Sequence, residues 1–495
     1  MTVSIKALAI AGFAALAVAV SPAFAQRTDI NVGMVLEPPN LDPTAGAAAA
    51  VDEVVYANVF EGLTRFDPSG AVIPGLAESW EISADGLAYT FHLHSGVKFH
   101  DGSAMDAEDV KFSLDRARAE DSVNAQKALF ADIASVDVVD PQTVKITLSR
   151  QNGNFLFNMA WGDAVVVAPE TAANNATNPV GTGPFTFVEW VQGDHVEIAK
   201  NPDYWGTPVR LDSAIFKFID DPTAAFAAMM AGDVDAFPNF PAPETLPQLG
   251  ADPRFSVIVG STEGETILAI NNVKAPLDNV LVREAIAHAI NRQEIIDGAM
   301  FGYGTPIGTH FAPHNPAYID LTSTSAYDPE KSKALLAEAG YASGLTLRLA
   351  LPPPTYARRG GEIIAAQLRA VGIETEIANV EWAQWLEQVF TGKDFDLTIV
   401  SHTEPMDIGI YARDDYYFQY KSDAFKKIIE DLNTTTDPEG RTALLQDAER
   451  KIADDFVNGY LFQLAKTGVA NAKIHGMWEN SPTQANDLTA VYWDE

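Results

Sequence analysis

An α/β fold spread over at least two lobes is what this sequence predicts, and three observations predict it. Strand-like runs alternate with amphipathic helical runs, most clearly late in the chain. The 495 residues exceed what one hydrophobic core organises, so the chain is expected to divide. A punctuated block over residues 74–116 packs strand, turn and helix signals into one unit.

In chain order, Lys6, the apolar run 7–20 and Ala23-Phe24-Ala25 read as a secretory signal peptide over residues 1–25, cleaved before Gln26. The mature protein is therefore expected free in the periplasm. The chain has no cysteine, which excludes a lipoprotein anchor, disulfides and thiolate metal sites. No later run approaches the ~20 apolar residues of a membrane span. In the 74–116 block, Tyr89, Phe91 and Leu93 alternate as in a half-buried strand. Asp85-Gly86 and Asp101-Gly102 supply turns, and residues 103–109 supply a helix start with acids in its first turn. Further on, residues 345–349, 373–377 and 395–400 read as strands and 362–371 and 382–390 as helices, giving βαβ units with right-handed crossovers. Proline-rich stretches at 237–247, 304–316 and 352–354 read as surface loops. There is no internal repeat.

The formal charge of −34 argues against nucleic-acid or anionic-lipid partners. No nucleophile elbow, zinc-protease helix or phosphate-binding loop is present, so no catalytic residue is assigned. His92 and His94 share a strand face near His100, and read as exposed side chains rather than a metal site. Neither cofactor nor metal is expected.

The 74–116 block closely resembles the corresponding block of the extracellular solute-binding proteins, family 5, of peptide, opine and nickel ABC importers. Asn40-Leu41-Asp42-Pro43 and residues 54–67 are similar to that family's opening strand and helix, and residues 179–205 to its central hairpin. Residues 269–290, 327–340 and 372–377 continue the resemblance in order. It implies a type II periplasmic binding protein of cluster C, with two lobes and a hinge. Lobe I would comprise 26–57, 181–267 and 478–495, an extra domain 58–180, and lobe II 268–477. Two strands crossing between the lobes would form the hinge. The implied role is capture of a small solute by a monomer that delivers it to an inner-membrane permease.

In peptide-binding members, an aspartate in a loop after a second-lobe strand pairs with the ligand ammonium, and Asp407 matches it. A shielded carboxylate makes a strong charge-assisted hydrogen bond to such a group. His402 stands where tryptophan is common, Asp407-Ile408 replaces the usual Asp-Pro, and Glu404 adds a second acid. Dipeptide binders hold the ligand carboxylate with an Arg–Tyr pair; Tyr356 matches the tyrosine, and either Arg358 or Arg359 substitutes for the arginine or both are solvated. Trp382 and Trp385 wall the pocket or pack in the core, both readings suiting their spacing. Tyr411 opens an aromatic cluster with Tyr416, Tyr417 and Tyr420, divided between cleft and packing. The ligand expected is an amine-bearing solute: a short peptide, an opine or an amino-acid conjugate. The alternatives are a nickel chelate or oligosaccharide held by His402 or the tryptophans, and, in another class, a secreted hydrolase.

Overall fold

The computed structural model describes residues 27–45, 48–403, 406–435 and 437–494. The expected signal peptide and Glu404 lie outside the described residues. Among these, a mixed sheet of eleven strands runs the length of the molecule. At one end Leu345–Leu351 lies parallel to both Ile373–Asn379 and Leu397–His402. The helix Thr355–Ala370 links the first two, and Trp382–Trp385, continued by the π-helical turn Leu386–Thr391, links the next. At the other end Asp29–Met34 runs parallel to Ser213–Phe218, beside the hairpin of Phe185–Val191 and His195–Lys200. Two long antiparallel strands, Phe255–Ile270 and Gly459–Asn471, occupy the middle and belong to both ends.

A separate antiparallel sheet, in the order Ala77–Ile82, Ala88–Leu93, Thr143–Leu148, Ile133–Asp140, carries its own core with the helix Ala107–Arg118. The expected alternation holds: Tyr89, Phe91 and Leu93 face inward. Gly86 and Gly102 take positive φ in the two turns, where a Cβ would clash with the backbone. Asp106 caps the helix through the Glu108 amide, and Asp109 returns a bond to the Asp106 amide.

Four expectations change. Asn40–Pro43 leads into a single helical turn, Pro43–Ala45; the opening strand is Asp29–Met34 and the first helix Ala49–Val55. The helix expected from 362 starts at Thr355, because Gly361 lets it lie directly on Leu351, where a Cβ would come within 2.5 Å. The stretches 237–247 and 304–316 are not surface loops, since Phe237, Phe240, Leu246, Ile307, Thr309 and Phe311 are buried and their apolar side chains anchor the proline-rich backbone to the core. His92 and His94 prove half-buried, His94 packing on Trp205, and His100 leaves their face altogether. Its Nε2 lies 2.9 Å from the Gly183 carbonyl, and the Gly181 amide donates to Nδ1 at 3.3 Å. Gly181 presses against Val59: a Cβ there would lie 2.0 Å from the Val59 carbonyl oxygen. Gly181→Ala is expected to cost about 1–3 kcal/mol, read as a lower Tm in thermal denaturation.

The feature that positions the site is a break in the central pairing. Ser261 pairs with Ala465 and Glu265 with Gln463, so three residues on one strand oppose one on the other. Such a bulge bends the strand and ejects its extra residues from the ladder. Thr262 ties it down, its hydroxyl donating to the Leu464 carbonyl at 2.9 Å and accepting from the Gly264 amide at 3.0 Å.

Candidate functional site

Thr262, Glu263 and Gly264 form the floor of a cavity of about 350 Å³ between the two ends of the sheet. From one side it is lined by Asp52 and Glu53 of the first helix, Trp161, and residues 481 and 483–485 near the C-terminus. Thr403, just past the strand Leu397–His402, lines it from the other side. Three acidic residues therefore line one small space. Asp52 Oδ1 and the Trp161 indole Nε1 are buried with no hydrogen-bonding partner among the described residues, one an acceptor and the other a donor. Gly162 makes this possible, because a Cβ there would lie 2.2 Å from Asp52 Oδ1.

The electrostatics follow from burial. Burial pushes the Asp52 carboxyl well above its ordinary value, and the nearby Asp163 and Glu53 charges push it further. Burial also raises Glu53, against the opposing pull of the Asn239 side chain and of Lys466. Lys466 is lowered to about 8 by its own burial, and its Nζ donates to the Trp478 carbonyl at 2.7 Å. Glu263 differs in having a partner, His314 Nε2 at 2.6 Å.

Behind the wall that carries Thr403 lies a second set of ionisable groups. His310 sits between two carboxylates, with Nδ1 2.6 Å from Glu265 Oε1 and Nε2 2.7 Å from Asp407 Oδ1. His402 approaches the other Asp407 oxygen at 3.8 Å and places Nε2 3.1 Å from the Tyr417 hydroxyl. Tyr411 packs edge-on to His310 with centroids 5.5 Å apart. Burial alone would lower His310 and raise Asp407, but mutual attraction wins for both. His310 is held well above the ordinary imidazole value, and Asp407 well below the carboxylate range. Glu265 is pushed up to about 7 by burial, which His310 only partly offsets. The three donor atoms lie close enough for a metal, but both His310 nitrogens are engaged, so the imidazolium itself serves as the cation.

The expected site residues thus divide. His402, Asp407 and Tyr411 are brought together, but in this buried cluster, and Tyr356 adjoins it by accepting from the Ser401 amide at 3.3 Å. Trp385 is buried, donating to Thr398 Oγ1 at 2.9 Å and packing on Tyr417. Trp382 is exposed, and Arg358 pairs with Glu381 at 2.9 Å. None of these seven lines the cavity. The residues missed are Asp52, Glu53, Trp161, Glu263, Glu265 and His310. The signal for His310 was two histidines, His310 and His314, inside a proline-rich stretch. The acids carried no signal in a chain with 67 of them.

Residues 71–423 match the family described as "bacterial extracellular solute-binding proteins, family 5 Middle". A glutathione-binding protein of Pectobacterium atrosepticum is 34% identical over 398 residues, which are 79% of this chain and 76% of that one. A di/tripeptide-binding protein of Pseudomonas aeruginosa is 30% identical over 455 residues, 83% of this chain and 84% of its own. Among solved structures, HbpA2 from Haemophilus parasuis superposes with a TM-score of 0.86 at 25% identity, covering 94% of this chain and 100% of that one. With a family match over most of its length and the same two-ended α/β fold, this chain belongs to the family 5 bacterial extracellular solute-binding proteins.

Proposed function

We infer that the protein is the substrate-binding component of an ABC importer, capturing a small amine-bearing solute such as a short peptide or amino-acid conjugate. The observation that carries this is the cavity at the strand bulge, which Asp52, Glu53 and Glu263 line together with Trp161, whose indole N–H has no partner among the described residues. Asp52 and Glu53, which have no salt-bridge partner among the described residues, suit an ammonium, and the indole suits a carbonyl or carboxylate oxygen on the same ligand. In this reading Asp407 acts from behind the wall, holding His310 and the start of the helical turn Asp407–Ala412 rather than touching the ligand. The two middle strands serve as the hinge, and binding energy shifts an open–closed equilibrium toward the form presented to the permease. The peptide- and glutathione-binding relatives support a ligand of this class. No described helix is long and apolar enough to cross a membrane.

Native mass spectrometry of gently purified protein, with release and identification of any retained molecule, tests this. A retained peptide or amino-acid conjugate is the expected result. A sugar, or any ligand lacking an amine, overturns the ammonium reading. Time-dependent conversion of the ligand to product would instead favour a hydrolase.

A further inference from the structure

We propose that the ligand is bipartite, its amine end in the acidic cavity and an apolar group in an adjoining chamber; this rests on the ammonium reading above. The chamber measures about 460 Å³ and shares Glu263 with the acidic cavity, while adjacent residues Ser481 and Pro482 line one each. Its lining is the more apolar of the two. Trp80 and Ile82 of the separate antiparallel sheet line it together with Phe157 of the short helix Phe155–Asn158 and with Pro316, Met406 and Leu445. Apolar side chains lining one gap favour an apolar occupant, and a group continuous with an amine end seated next door is tethered in place to fill it. Phe157 and Trp161 stand in edge contact, centroids 6.4 Å apart, with one ring on each chamber. Met406 adopts a left-handed backbone conformation, φ 60°, between Thr403 on the acidic side and the buried Asp407. A non-glycine residue pays strain there.

The far wall is closed by Arg441 of the helix Pro438–Asp454, whose guanidinium meets the Asn154 side chain and also donates to the Leu432 and Thr435 carbonyls at 2.8 and 3.0 Å. Gly153 permits the approach: a Cβ there would lie 1.6 Å from Arg441 Nη1. With its hydrogen bonds directed to the wall, Arg441 closes the chamber without making it a site for an anion. The chamber therefore selects by size and apolarity, and the acidic cavity by charge.

Calorimetric titration of the full chain with Gly-Gly, Leu-Leu and N-acetyl-Leu-Leu tests this, using wild type, Ile82→Asp and Met406→Gln. Leu-Leu is expected to bind wild type at least about tenfold tighter than Gly-Gly. Both variants should reduce that preference below about threefold. Equal binding of Gly-Gly and Leu-Leu by wild type, or an undiminished preference in both variants, overturns the apolar chamber. N-acetyl-Leu-Leu binding as tightly as Leu-Leu overturns the ammonium reading and leaves the chamber standing. Failure of every probe to bind overturns both.

Discussion

Asp407→Ala is expected to destabilise the ligand-free protein by about 3–5 kcal/mol, the usual cost of removing one partner from a buried ion pair. The His310 imidazolium, 2.7 Å from Asp407 and 2.6 Å from Glu265, would be left with a single carboxylate that burial already pushes up to about 7. Asp407→Asn keeps the acceptor and the shape, so it should cost less. His310→Ala should cost a similar amount to Asp407→Ala, because Glu265 and Asp407 would then face each other without a cation. Denaturant unfolding of the three variants measures these differences, and an Asp407→Ala protein as stable as wild type would remove the ion pair from the account of the fold.

The pH dependence follows from the signs. Asp407 is depressed, so its contribution is present above the ordinary carboxylate value and lost only as pH falls through its still lower folded value. His310 is raised, so its contribution is full below the ordinary 6.5 and lost as pH rises through its higher folded value. Glu265 adds a cost that grows as pH rises from 4.5 toward 7. His310 and Glu265 both make the protein less stable on the alkaline side of neutrality than on the mildly acidic side, while the Asp407 contribution stays constant across that range. Tm measured across that range should fall with rising pH in wild type.

The second large effect is on binding. Asp52→Asn combined with Glu53→Gln is expected to weaken an amine ligand by about 2–4 kcal/mol, since each charged hydrogen-bond partner is worth about 1.5–3 kcal/mol and neighbouring groups are not additive. Stability should move the other way. Burial raises the Asp52 carboxyl, so ionising it costs free energy in the empty cavity and asparagine relieves that cost. A variant that is more stable when empty yet binds more weakly marks a residue kept for function. The same shift couples binding to protons. An arriving ammonium favours the ionised carboxylate, so binding expels a proton and affinity rises with pH, by up to about tenfold per unit for one proton released. Calorimetry in two buffers of different ionisation enthalpy should detect that proton in wild type and lose it in Asp52→Asn. Affinity independent of pH, with no proton released, would place the ammonium elsewhere.

Much of the architecture was legible in the chain because local chemistry specifies it. Period-two alternation at Tyr89, Phe91 and Leu93, the aspartate–glycine turns, the capped helix after Asp106 and the parallel strands joined by helices all rest on neighbours within a few residues. Where the local reading failed, a distant contact had overridden it. Gly361 starts no break because it seats a helix on Leu351, and the prolines of 304–316 border no open loop because Ile307 and Phe311 are pulled into the core. Asp407, His402 and Tyr411 were picked out together from sequence, and together they are found. What they face was not readable, because His310 lies 97 positions before Asp407 and Glu265 a further 45. The cavity acids were still less accessible. Nothing in the sequence distinguishes Asp52, Glu53 and Glu263 from the other acids of the chain. A first helix, a bulge in a central strand and a C-terminal segment had to be folded against one another before the adjacent Asp52 and Glu53 shared one space with Glu263, some two hundred positions later, and before burial raised the first two.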